Sequence, residues 1–500
     1  MTRMLRAPGT RLRAVIGVRA AIGARPSLGV RLPRTPDGRV DRLGALVSAS
    51  RLAAVAALLL GAVALERSDA GLGGWSIVLG LATTVPLYLV QRGWRLSPAV
   101  HLVLAAMPAS VLIAGAIDAP DGIGFARAAR YAYFGAALLA AASYARTPHR
   151  RVVLAGGAAL VVLDQYTVGW FAWWGSLDPT TKMLGTFYWH NQFGAFCAAG
   201  VAIGVFLAAF GTRVVVLLGA VVAVVASAGA LASGSRAALV MTVAAYAVTF
   251  IAALAGRRIR AAGRVAGLCA LALATAVLLS GSLFFPGSGA WPWQALVARS
   301  ADGSFVASSG GTRLEFWRAA LAMGVEHPLT GVGLSRYGTA SFCYDLTLYA
   351  SNPHNEWLLA WAETGALGVV PLLAVLGGAG WALSVSLRRG GAGVAADPGR
   401  WGALVAALLL LAHAGMDFDW AWGSLPGLAG LAGGVALAPL LRRRAAPPIG
   451  RGCGWRWRRV AAIVLLAVLL LSGVVGRAAD PRAADPLYAG ASWFGQQCSE

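Results

Sequence analysis

The sequence predicts an all-α polytopic membrane protein of about 12–13 transmembrane helices with one large extracytoplasmic loop. Three observations carry that expectation. Of 500 residues, 58% are hydrophobic and only 12% charged, against roughly 45–50% and 25% in soluble globular chains. Apolar runs close to the ~20 residues that a bilayer requires recur along the chain. The basic residues, 42 against 20 acids for a net charge of +22, gather at alternate ends of those runs. The 64 glycines supply small residues that let membrane helices approach closely. Disordered, collagenous and disulfide-scaffold classes are excluded by the same composition.

The runs fall at 43–65, 72–91, 98–117, 128–145, 151–174, 192–211, 213–232, 236–255, 264–285, 357–387, 400–417, 420–441 and 459–476. They divide the chain into a basic tail (1–42), a first bundle (43–285), a large loop (286–356), a second bundle (357–476) and a C-terminal tail (477–500). With the N-terminus placed in the cytoplasm, 30 of the 42 basic residues lie in cytoplasmic segments and 17 of the 20 acids lie outside or in the outer halves of spans. The cytoplasmic side then carries +27 and the outer side −6, with Arg51 inside a span. This is the positive-inside asymmetry. It turns the +22 from a polyanion-binding surface into an orientation signal, so no nucleic-acid partner is expected.

The tail 1–42 lacks the apolar core of a signal peptide and reads as an arm near anionic lipid, or as the product of a misplaced start codon. Five cysteines form no framework, and only Cys343 and Cys498 face outside for one optional disulfide.

Long loops with helical signals of their own carry function, which draws attention to 286–356. Within it, Thr312-Arg313-Leu314-Glu315 is a capping box. The helix it predicts, 312–326, carries Leu314, Trp317 and Leu321 on an apolar stripe suited to a membrane surface. The loop closes in Ser351-Asn352-Pro353-His354-Asn355-Glu356, where proline after a capping residue marks a helix start. His354 is therefore expected in the first turn of the tenth span. A helix N-terminus there favours a neutral imidazole able to accept a proton. The plainer reading is an interfacial packing residue.

Two outer arginines depart from the charge pattern. Arg236 opens the eighth span and Arg313 opens the loop helix. Each either snorkels to lipid headgroups or recognises phosphate, whose oxygens match the guanidinium fork. His413 and Asp417 are four apart and expected on one helix face. Asp417-Phe418-Asp419 is also a pattern that can hold a divalent cation through oxygen ligands. Asp164 and Glu363 fall in the outer halves of spans, where ionisable groups turn to the bundle interior. Gly430-x-x-x-Gly434 reads as helix packing. Nucleotide-binding and Gly-x-Ser-x-Gly motifs are missing from the sequence.

Taken together, these stretches resemble the O-antigen ligase / Wzy-type polymerase superfamily of bacterial envelope glycosyltransferases. The resemblance runs over about 185–420. It is carried in order by Gly185-Thr186-Phe187 with Asn191-Gln192-Phe193-Gly194, and by Ser233-Gly234-Ser235-Arg236-Ala237-Ala238. There follow Arg313-x-x-x-Trp317 through His327-Pro328-Leu329-x-Gly331-x-Gly333, His354-Asn355-x-x-Leu358 with Glu363-x-Gly365, and His413-x-x-x-Asp417. Position 194 departs from the family pattern, being glycine where the family has alanine.

The resemblance implies a GT-C-like fold in the bacterial cytoplasmic membrane, with N-terminus cytoplasmic and active site and C-terminus outside. It implies transfer of a glycan from a polyprenyl-diphosphate carrier to a hydroxyl of a glycan, lipid A core or protein, without metal or cofactor, in surface polysaccharide biosynthesis. On this reading His354 activates the acceptor, and Arg236 and Arg313 hold the diphosphate. Arg318, Arg336, Asn191, Asn355, Trp317, Trp357 and Glu363 are substrate-binding candidates, and His413 and Asp417 are secondary. Ligase and polymerase are not separated. The alternative from another class is a multi-span transporter or flippase of a lipid-linked or anionic substrate, but the halves show no repeat of the kind transporters carry.

Overall fold

The computed structural model of the chain describes residues 94–96, 98–118, 122–176, 182–187, 189–280, 304–344, 346, 350–388, 393–421, 424–440 and 443–445, with isolated positions between 81 and 88. Among them are twelve α-helices. The first seven are α1 (Pro98–Asp118), α2 (Gly122–Tyr144), α3 (Pro148–Ser176), α4 (His190–Phe210), α5 (Arg213–Ala232), α6 (Arg236–Ala255) and α7 (Ile259–Ser280). They are followed by α8 (Ser304–Glu326), α9 (Tyr337–Ala340), α10 (Glu356–Arg388), α11 (Pro398–Ala414) and α12 (Ser424–Leu437). Two three-residue strands, β1 (Trp94–Leu96) and β2 (Arg443–Ala445), pair antiparallel and add a minor element to the helical fold.

Ten of the thirteen expected spans coincide with α1–α7 and α10–α12. Those at 43–65 and 459–476 lie outside the described residues, and 72–91 is described only at isolated positions. By length and composition, five helices among the described residues suffice to cross a membrane: Pro148–Phe171 of α3, all of α4, α5 and α6, and Glu356–Trp381 of α10. Val100–Ala114, Pro398–Ala414 and Leu425–Leu437 are apolar but shorter. The chain is a multi-pass helical membrane protein. Its apolar runs overstate some helices because turns take their ends: α11 stops at Ala414, where Gly415 caps it, three residues before the run does.

The centre of the bundle is α4, buried along nearly its whole length. Without water to drive apolar helices together, close approach of small residues supplies the packing. A Cβ on Gly204 would lie 2.8 Å from the Gly219 carbonyl oxygen, and one on Gly200 would lie 2.6 Å from Val162. At the N-terminal end of α4, a Cβ on Gly194 would meet Ser233 Oγ at 2.6 Å and Ala238 Cβ at 2.8 Å. This accounts for glycine where the family pattern has alanine: the turn leading into Arg236 rests directly on α4. Gly430 and Gly434 sit against the Phe134 and Leu138 carbonyls of α2, as helix-packing positions do.

A second apolar cluster holds the loop helix. Phe316, Ala319, Ala320 and Met323 of α8 pack with Tyr337, Ala350, Leu359 and Ala362. The helix starts at Ser304, eight residues before the Thr312 capping box, which therefore lies within it. Leu314 and Leu321 of the expected stripe are about half exposed, while the face between them docks onto α10.

Beyond α8, the chain threads residues 328–332 into a break in α10. The Val332 amide donates to Ala362 O at 2.8 Å, and the Ala366 and Leu367 amides donate to Pro328 O and Leu329 O at 2.9 and 3.1 Å. The break centres on Gly365, at φ +54° and ψ −148°.

Candidate functional site

Three parts of the chain, α4, α8 and the segment before α10, meet the connection that carries one carboxylate. Asp417 lies past the end of α11, in the connection to α12, and is almost fully buried. Its Oδ1 is 2.9 Å from His354 Nδ1 and accepts the Phe418 amide at 2.9 Å. Its Oδ2 accepts from Asn191 Nδ2 at 2.7 Å. Burial pushes the Asp417 carboxyl up, but the hydrogen bond and charge of His354, the charge of His413 and the Phe418 amide outweigh it and hold it below the ordinary aspartate value. The carboxylate is therefore ionised and acts only as an acceptor. Facing an acceptor, the His354 ring turns Nδ1 to it as the donor.

His354 is held on every side. Its φ is +49°, a left-handed conformation that costs a non-glycine residue about 1–3 kcal/mol. The Asn352 side chain secures it by accepting the His354 amide at 3.0 Å. The imidazole lies between Phe316, stacked at 6.4 Å, and the edge of Phe418 at 5.3 Å. A quarter of the side chain remains exposed. His354 is not in the first turn of the tenth span, which starts at Glu356. Asn355 is the cap: its Oδ1 accepts the amides of Trp357 and Leu358, each at 3.1 Å. His354 thus precedes the helix. The ring's partner is Asp417 rather than the helix terminus.

The arginines come from two other elements. Ser235 caps α6 by accepting the Ala238 amide at 3.3 Å, which puts Arg236 at the first helical position. Arg313, on α8, donates from its guanidinium to Met416 O at 3.0 Å, beside Asp417. Arg236 and Arg313 are near enough for their like charges to act on one another. Such a pair is favourable when an anion lies between them.

The remaining candidates divide. Trp317 Nε1 donates to Pro353 O at 2.9 Å and ties α8 to the segment carrying His354. Trp357 packs edge-on against Trp420 at 5.8 Å. Glu363 is buried, and its Oε1 accepts the Tyr337 amide at 3.3 Å, at the start of α9. Arg318 and Arg336 are exposed. Asp164, expected to face the interior, is exposed on α3.

His413 and Asp417 do not bond to each other through their side chains. His413 Nδ1 instead pairs with Asp419 at 2.6 Å, both almost fully buried. Each carboxylate of the Asp-x-Asp is thus engaged by a different histidine. Among the described residues no three His, Cys, Asp or Glu side chains converge as metal ligands do. Sequence reasoning missed the His354–Asp417 bond and the role of Asp419. The Asp-x-Asp was the available signal for both, read there as a cation pattern. Cys343 is disulfide-bonded, and Cys197 and Cys269 are free thiols.

Residues 221–373 match the Wzy_C family model, described as O-antigen ligase. The chain therefore carries an O-antigen ligase family domain over that segment, the one that contains Arg236, Arg313 and His354. Asn191 and Asp417, which complete the histidine's surroundings, lie outside it on either side. No curated protein matches the chain.

Proposed function

We propose that this O-antigen ligase family membrane protein transfers a glycan from a polyprenyl-diphosphate carrier to a hydroxyl acceptor on the outer face of the bacterial cytoplasmic membrane, as a ligase or a polymerase. The observation that carries this reading is the 2.9 Å bond between His354 Nδ1 and Asp417, with Arg313 bonded to the residue before Asp417.

The chemistry needs two things. A diphosphate is an activated leaving group, so the protein must stabilise the charge it gains and remove a proton from the acceptor. His354 Nε2 takes the hydroxyl proton as the acceptor oxygen bonds to the anomeric carbon. The bond from that carbon to the diphosphate oxygen breaks, and the electron pair leaves with the polyprenyl diphosphate. Arg236 and Arg313 hold the charge that accumulates there, pre-placed donors that contribute about 3 kcal/mol each in comparable sites. Asp417 stabilises the imidazolium formed on His354, and Asn191 keeps the carboxylate oriented. The acceptor is a growing glycan, a lipid A core or a protein hydroxyl.

The test is transfer in vitro. The purified chain is given a polyprenyl-diphosphate glycan and each acceptor class in turn. A new glycosidic bond with release of polyprenyl diphosphate supports the reading. Movement of the intact lipid-linked glycan between leaflets, with no bond formed, would replace it with a flippase.

A further inference from the structure

The chain has 41 arginines and a single lysine, Lys182. Its Nζ lies 3.0 Å from His190 Nε2, two basic groups in direct contact. The stem of Lys182 runs over Gly234, where a Cβ would sit 3.7 Å from its Cγ, Cδ and Cε. Gly234 has φ +65° and lies in the turn that delivers Arg236. The Met183 amide donates to Ala232 O at 3.0 Å, which ties this segment to the end of α5 just before that turn. On the other side, His190 is the first residue of α4 and is followed by Asn191, the partner of Asp417. Lys182 is therefore fastened between the arginine end and the histidine end of the same site.

We infer that Lys182, steadied by His190, is a third cationic ligand for the diphosphate of the lipid-linked donor. This rests on the donor assigned above and adds a residue to it. The non-bridging oxygens of a diphosphate accept more hydrogen bonds than two bidentate guanidinium forks supply. An ammonium is a compact point charge with three donors that can be directed at phosphate oxygens. The contact with His190 gives a long, flexible side chain a fixed direction, which lowers the ordering cost of binding. His190 acts through Lys182 and is a positioning residue.

The experiment measures binding of polyprenyl diphosphate and polyprenyl monophosphate, in detergent micelles, to the full-length purified chain. K182M is expected to weaken diphosphate binding about 10-fold to 100-fold and to shrink the preference for diphosphate over monophosphate. That preference is a ratio, so a misfolded fraction does not change it. K182R, which keeps the charge, should restore most of the affinity, and H190Q should produce a smaller loss of the same kind. Unchanged affinity and preference in K182M, with wild type binding normally, would overturn the role of Lys182 and leave the donor assignment standing. Wild type that does not bind the diphosphate lipid would overturn both, and the transfer reaction above would fail with it.

Discussion

Gly331 and Gly365 pack backbone against backbone, where the turn after α8 enters the break in α10. A Cβ on Gly331 would lie 2.3 Å from the Glu363 carbonyl carbon, and one on Gly365 would lie 2.6 Å from that of Leu329. Both residues have positive φ, +73° and +54°. The contact matters for chemistry because the same α10 begins just after His354 and the same α8 carries Arg313. G365A is expected to destabilise this junction by about 1–3 kcal/mol from backbone strain alone, and by more from the steric overlap. Limited proteolysis of the 328–333 segment, alongside the transfer rate, reads the effect; both should change together.

Asp417 is argued to act through His354 by accepting from its Nδ1. D417N keeps the size of the side chain but adds a donor where the imidazole needs an acceptor. Turnover should fall by about 10²-fold or more, with little change in donor KM. Steady-state kinetics of D417N checks this, and N191A should show a smaller fall of the same kind.

Arg236 and Arg313 are argued to hold the departing diphosphate. R236A and R313A are each expected to lose about 10²-fold in transfer rate, corresponding to about 3 kcal/mol. Lysine at either position should rescue only in part, because an ammonium does not reproduce the bidentate fork. The two losses should combine non-additively, since both groups face one leaving group.

Asp417 and Asp419 are each committed to a histidine, at 2.9 and 2.6 Å. Transfer is therefore expected to survive excess EDTA with its rate unchanged. An assay with and without the chelator, followed by Mg²⁺ or Mn²⁺ addition, measures this directly.

Much of the fold is legible in the sequence because membrane helices announce themselves by composition and length. Hydropathy also puts Arg236 at the start of a span, and it is the first residue of α6, which Ser235 caps. The histidine's partner is not legible, because His354 and Asp417 lie 63 positions apart and hydropathy does not say which helix ends meet. The i, i+4 rule pointed His413 at Asp417, yet α11 ends at Ala414, so the rule does not reach that far. Pro353 suggested a helix start, whereas the Asn355 side chain captures the first free amides and moves the start to Glu356. The beginning of α8 was hidden by Ser308-Ser309-Gly310-Gly311, poor helix formers that are nonetheless helical in the chain.

The central claim is that His354 Nε2 takes the acceptor's proton. It is tested most directly by the initial rate of glycan transfer from polyprenyl diphosphate by H354A, purified at the same level as wild type. The predicted result is a rate about 10²–10⁴-fold lower, with polyprenyl-diphosphate binding retained. A rate equal to wild type would contradict it.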